Sequence, residues 1–217
     1  MVPPGTTRLA RDVAVVVVIF TVTDSQLRVI LIRRSAEPFR DFLSLPGGLL
    51  NPGEGLEEAA SRKLQDETGV RDVYLEQLYT FSNLDGRNTV AVTYFALVDS
   101  RQAQLARRDA WQPGWFPVYG LPPLAFANDQ VIGYAVQRLQ AKLEYTNVAY
   151  SLLPERFRLS DLQKVYEAIL GRELDKRNFR RRMLSSGVIV PTGRLVTEGA
   201  HRPAQLYAFR ERRPVVL

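Results

Sequence analysis

The chain is expected to be an α/β protein in two units. An α/β/α sandwich should fill residues 1–145, a short linker 146–153, and a small helix-turn-helix unit closed by a hairpin 154–217. Three observations predict this. Apolar, β-branched runs alternate with helical patterns through the first two thirds. A loop rich in Gly and Pro runs straight into an acidic amphipathic helix near residues 46–69. Positive charge is concentrated in the last third: from Pro154 onward 14 Lys and Arg face 7 Asp and Glu, so all of the net +6 arises there.

The composition narrows the chemistry. A hydrophobic share of 46% with 10% aromatics is ample for a core. Cys is absent, which excludes disulfides, thiol nucleophiles and thiolate metal sites, and His201 is the single histidine. The most apolar run, Val13 to Thr23, lies between Asp12 and Asp24 and is too short to span a bilayer. The N-terminal MVPPGTTRLARD has no signal-peptide pattern, so a cytoplasmic protein without a membrane partner is expected.

Taken in order, residues 1–11 read as a loose arm. Val13–Thr23 reads as a buried strand and Arg28–Arg33 as its neighbour across a turn at Asp24–Gln26. Ala36–Asp41 is a loop. Leu56 to Thr68 is a helix with Leu56, Ala60 and Leu64 on its apolar side, stopped by Gly69. Val73–Phe81 and Thr89–Val98 are strands joined through Asn83, Asp85 and Gly86, and Trp115–Val118 is a further short strand. Asn128 is expected to cap a helix to about Leu143.

The loop and helix at Gly48 to Val70 carry the most specific pattern. Gly48, Glu54, Arg62, Leu64, Glu67, Gly69 and Val70 stand in the register of a Nudix box, so the stretch resembles that family's signature. Positions 63, 66 and 67 share one helix surface. In Nudix hydrolases three carboxylates there hold Mg²⁺ against a diphosphate. Here Lys63 replaces one of them and Asp66 another, beside Glu67. An ammonium beside a divalent-cation site weakens metal binding, yet it can serve a diphosphate as a tethered counter-ion. No catalytic residue is assigned within the degenerate set Glu54, Arg62, Lys63, Asp66 and Glu67. Asp66 and Glu67 are the metal ligands if Mg²⁺ binds at all, and no cofactor is required. Ligand contacts are expected from Phe39, Arg40, Gly47, Gly48, Lys63 and Glu67.

Beyond the linker, Ser160 should start a helix carrying Leu162, Val165, Tyr166 and Ile169 on one face and ending at Gly171. A second helix follows from about Asp175 to Ser185. Strands at Val188–Pro191 and Gln205–Arg210 should flank a loop at Gly193–Pro203. Helix, turn, helix and hairpin is the order of a winged helix-turn-helix. The second helix holds five basic residues within seven positions. Phe179 and Met183 should face the core, leaving Lys176, Arg177, Asn178, Arg180, Arg181 and Arg182 for DNA. Arg194, His201 and Arg202 would contact the backbone from the wing.

The stretch LLPERFRLSDLQKVYEAILGRELDKRNFRRRML, followed by HRPAQLYAF, is similar to the C-terminal domain of the NrtR family of Nudix-related regulators of NAD metabolism. That resemblance implies a dimeric repressor whose Nudix domain senses ADP-ribose or a related nucleotide and releases a near-palindromic, double-stranded operator. The competing expectation is an active Nudix hydrolase of ADP-ribose-type nucleoside diphosphates whose basic tail is structural.

Overall fold

The structure is a computed structural model that describes residues 12–69, 74–82, 84, 89–103, 105, 113–197 and 203–216. Strand β1 (Asp12–Thr23) organises the first unit. It pairs along one edge, in parallel, with β6 (Thr89–Leu97). Its other edge is shared: the C-terminal half pairs with β2 (Gln26–Arg33) and the N-terminal part with β4 (Gly47–Leu49), both antiparallel. The short β3 (Leu43–Ser44) and β7 (Pro113–Pro117) extend the sheet from β2, and β5 (Tyr74–Ser82) closes the β6 side. Asp24 and Ser25 both take left-handed backbone, the geometry that a tight β1–β2 hairpin requires. The expected β5–β6 turn residues Asn83, Asp85 and Gly86 lie outside the described residues.

Alternation along β1 gives the sheet two different faces. Val15, Val17 and Ile19, with Val92, Tyr94 and Ala96 of β6, pack under the box helix α1 (Leu56–Thr68) through Ala59, Ala60 and Leu64. Val18 and Phe20, with Phe95 and Leu97, belong to a larger core on the opposite face. There they meet Val131, Ala135 and Leu139 of α2 (Asn128–Tyr145). The α/β/α order is therefore present.

Asn128 is not the cap of α2. Ala127 occupies that position in left-handed backbone, and the Asn128 Oδ1 accepts from the Leu45 N–H at 2.8 Å, 83 residues away. A buried backbone donor without a strand partner outcompetes a local cap.

Residues 146–153, expected as a linker, form a buried turn of 3₁₀ helix at Val148–Leu152. Asn147 binds the C-terminal tail through the carbonyls of Glu211 and Arg213 and the N–H of Val215, each at 2.9 Å. The second unit continues the same core. Helix α3 (Leu159–Leu170) buries Leu162, Val165, Tyr166 and Ile169 against the cluster that α2 lines. Its cap is Arg158, not Ser160: the Asp161 side chain accepts from the Arg158 N–H at 2.9 Å and starts the helix one residue earlier. Gly171 ends it at φ 67°.

Helix α4 (Lys176–Ser185) is capped by Asp175, whose side chain accepts from the Asn178 N–H at 2.8 Å. The wing is a three-stranded sheet, β8 (Phe157–Arg158), β10 (Ala204–Phe209) and β9 (Ile189–Val196). The expected loop from Gly193 is shorter because β9 runs on to Val196. Gly193, at φ 72°, sits in a bulge opposite Leu206.

Candidate functional site

A cavity of about 270 Å³ opens on the α2 side of the sheet. Its floor is Asp12, Ala14 and Val16 of β1 with Thr89 and Ala91 of β6, small or polar residues on one face of two paired strands. Gly47, Gly48 and Leu49 form one rim; Phe81 and Leu84, then Arg34, Phe126 and Asn128, form the others. The Arg34 guanidinium stacks 4.5 Å above the Phe126 ring, and Phe39 meets that ring edge-on at 5.0 Å. Phe126 is in left-handed backbone at φ 57°, a costly state for a bulky side chain that these two contacts offset.

The box helix lies on the other face of the sheet, so its acids do not line this cavity. Gly47 and Gly48 are the partition. A Cβ on Gly47 would stand 2.9 Å from the Val15 carbonyl oxygen and 3.3 Å from the Val16 Cα, backbone atoms that cannot give way. Gly47→Ala is therefore expected to lower stability by about 1–3 kcal/mol, as overpacking does. An unchanged urea midpoint would contradict this. A Cβ on Gly48 would meet the Lys63 Nζ at 3.3 Å, which places the ammonium against the cavity rim from behind.

The other box residues are held by one another. Arg62 donates to both Glu54 oxygens, at 2.6 and 2.8 Å, and Glu54 also accepts from the Asn51 N–H at 2.9 Å. The Arg62 hydrogen bond, then that of Asn51, holds the Glu54 carboxyl at about 2, below its ordinary 4.5. Glu54 thus clasps the loop. Arg62 Nη1 also lies 3.9 Å from Asp66. Glu67 is buried, 2% exposed, on the sheet-facing side of α1 beside Leu64 and Thr68. Among the described residues no three His, Asp or Glu side chains converge as a metal-holding group. As a Mg²⁺ donor set this is a poor fit: one carboxylate is near an arginine, the other is buried, and an ammonium takes the third place.

Of the six expected ligand contacts, Gly47 and Gly48 line the cavity, Phe39 props its Phe126 wall, and Lys63 backs its rim. Arg40 is exposed, stands 3.9 Å from Glu37 and does not line the cavity, and Glu67 is under the helix. Sequence reasoning missed Asp12, Arg34, Phe81 and Phe126. The alternation of Asp12, Ala14 and Val16 against Val13, Val15 and Val17 was the available signal, since a small, polar-ended face on a buried strand leaves room for a ligand.

The second candidate surface is α4. Lys176, Arg177, Asn178, Arg180, Arg181 and Arg182 are all exposed, while Phe179 and Met183 are buried against α3, with Tyr166 and Phe179 rings 5.2 Å apart. Arg181 donates to the Asn178 Oδ1 at 2.8 Å. Among the described residues no carboxylate forms an ion pair with any α4 cation. Arg194 is exposed on β9, and His201 and Arg202 lie outside the described residues. No described helix is long and apolar enough to cross a membrane.

The NUDIX domain family matches residues 11–135 and the NrtR DNA-binding winged helix domain matches residues 149–209. An ADPR responsive transcriptional repressor, NtrR, of Acinetobacter baylyi is 39% identical over 198 residues, which is 88% of this chain and 79% of the relative. The crystal structure of Shewanella oneidensis NrtR with a 27mer DNA superposes with a TM-score of 0.79 at 36% identity, covering 91% of this chain and 93% of that one. The NUDIX domain of the same Shewanella protein, crystallised with ADP ribose, matches at a TM-score of 0.54 and 36% identity over 60% of this chain and 89% of its own.

Proposed function

We propose that this chain, which belongs to the NrtR family of Nudix-related transcriptional regulators, is an ADP-ribose-responsive repressor of genes of NAD metabolism. It holds a double-stranded operator through α4 and the wing, and releases it when the Nudix cavity fills. A DNA partner supports the cytoplasmic location expected for it. One observation carries the reading: the cavity takes the nucleoside on the sheet face opposite the box acids, and the box side chain that meets its rim is the Lys63 ammonium, so the diphosphate is met by a cationic side chain in place of a metal ligand.

The cavity suits a nucleoside. Phe81 and Phe126 offer apolar ring faces for a base, and the Asp12 carboxylate accepts from a hydroxyl or amine. At about 270 Å³ it is small beside ligand sites of roughly 300–1,000 Å³, so the diphosphate runs out over Gly47 and Gly48, where the Lys63 ammonium neutralises it without Lewis acidity. Mg²⁺ is not required and binds weakly. One α4 gives a small footprint, so a homodimer reading two half-sites of a near-palindrome completes the proposal.

The deciding experiment is a mobility shift on a duplex selected by the protein from a randomised pool, with and without ADP-ribose, for wild type and Phe126→Ala. Wild type releases DNA as ADP-ribose rises, while Phe126→Ala requires at least about tenfold more ligand, the equivalent of about 1.4 kcal/mol. Operator binding indifferent to ADP-ribose would overturn the effector assignment, and a monomer in sedimentation that binds tightly would overturn the dimer.

A further inference from the structure

We propose that Gln140 and Tyr119 are positioning residues that transmit filling of the cavity to the DNA-reading helix, with α2 as the rigid element between them. The inference rests on the effector reading above. Helix α2 begins at the cavity: Phe126 and Asn128 line it, and Phe126 and Ala127 both stand in left-handed backbone, at φ 57° and 49°. Arg34 and Phe39 hold Phe126 there. A ligand ring entering the cavity packs against Phe126 and so presses on the residue that Arg34 and Phe39 hold. Neither residue is glycine, and the right-handed alternative is the more favourable one for each, so this entry to α2 has a second conformation within reach.

From Asn128 the helix runs to Gln140, about 18 Å along its axis at 1.5 Å per residue. There the Gln140 Nε2 donates to the Ile169 carbonyl at 2.9 Å, and the Tyr119 hydroxyl, just beyond β7, donates to the same oxygen at 3.2 Å. That carbonyl lies in the last turn of α3, where carbonyls lack helical partners. Two side chains from the Nudix unit therefore grip the end of α3. A Cβ on Gly171, two residues on, would be 3.1 Å from the Tyr119 hydroxyl, so the turn itself rests on that side chain. Asp175, four residues further, caps α4. A shift of α2 thus reaches the end of α3 and α4 directly.

The test measures the factor by which ADP-ribose weakens binding to the selected duplex, in wild type, in Gln140→Met with Tyr119→Phe, and in Gln140→Lys with Tyr119→Phe. Methionine and phenylalanine keep shape and remove both donors, whereas lysine restores a donor suited to a helix C-terminus. Wild type should show a factor of roughly 5–150, the Met/Phe variant should fall to within about twofold, and the Lys/Phe variant should recover most of it. ADP-ribose affinity without DNA should stay near the wild-type value in all three. A Met/Phe variant with the wild-type factor overturns the inference, and so does one that weakens DNA binding while keeping the factor. A wild type that binds ADP-ribose with a factor of one overturns the effector reading instead.

Discussion

Replacing Arg177, Arg181 and Arg182 together by alanine should abolish operator recognition while leaving the Nudix cavity intact. All three are exposed on α4, Arg177 and Arg181 opposite the buried Phe179 and Met183 and Arg182 on the flank near Phe179 and Tyr166, and no described carboxylate pairs with them. Each arginine that reads a guanine edge is worth about 1–3 kcal/mol, so the triple variant should lose at least about a hundredfold in affinity. Those that grip phosphate should each lower the slope of log affinity against log salt by about one. Alanine favours helix, and these side chains carry no core packing, so the melting temperature and ADP-ribose affinity should hold. Binding of the selected duplex by the triple variant at wild-type affinity would remove α4 as the reading element. Asn178 adds a finer check. Its Oδ1 is engaged by Arg181 in the free protein, so Asn178→Ala releases that guanidinium and tests whether the pair acts as one unit.

The elements that sequence periodicity defined are those whose apolar face repeats every three or four residues. Leu162, Val165, Tyr166 and Ile169 marked α3, and Phe179 and Met183 marked the buried side of α4, because nearest-neighbour packing alone decides those positions. The box helix was legible to its ends, Leu56 and Thr68, with Gly69 as the local stop signal. The cavity was not. Its walls come from β1, β4, β6, Arg34, Phe81 and Phe126, segments far apart in the chain, and only the sheet register brings them together. The left-handed pair Phe126 and Ala127 had no glycine to announce it, and it is sustained by Arg34 and Phe39 from another loop. Asn128 misled for the same reason: a local cap was the natural expectation, and a buried amide 83 residues away claimed the side chain. The stretch 146–153 likewise read as a short linker at a change of charge character, though Val148, Ala149, Tyr150 and Leu152 belong to the core.

Lys63→Glu should yield a protein that binds Mg²⁺ more tightly than the wild type and slowly consumes its effector. Charge is the first cause. A unit charge and a dication about 6 Å apart in a water-like dielectric interact by about 1.4 kcal/mol, and exchanging an ammonium for a carboxylate counts that twice, so Mg²⁺ should bind about a hundredfold more tightly. The change also frees the space behind Gly48, where the Lys63 Nζ now rests 3.3 Å from the position of a would-be Cβ. The new carboxylate would join Asp66 on one helix surface, but Glu67 remains buried and Arg62 stays near Asp66, so turnover should be slow. Two consequences separate this from general damage. Without Mg²⁺ the variant should bind ADP-ribose more weakly than wild type, because the counter-ion to the diphosphate is gone, and added Mg²⁺ should recover the loss. With Mg²⁺, release of operator should be transient, the DNA complex re-forming as ligand is hydrolysed, while in wild type release persists. Calorimetric titration of Mg²⁺ and a time course of ADP-ribose hydrolysis measure both. Rapid Mg²⁺-dependent hydrolysis by the wild type would show that Lys63 does not disable the box, and equal Mg²⁺ affinity in the two proteins would show that position 63 does not face the ion.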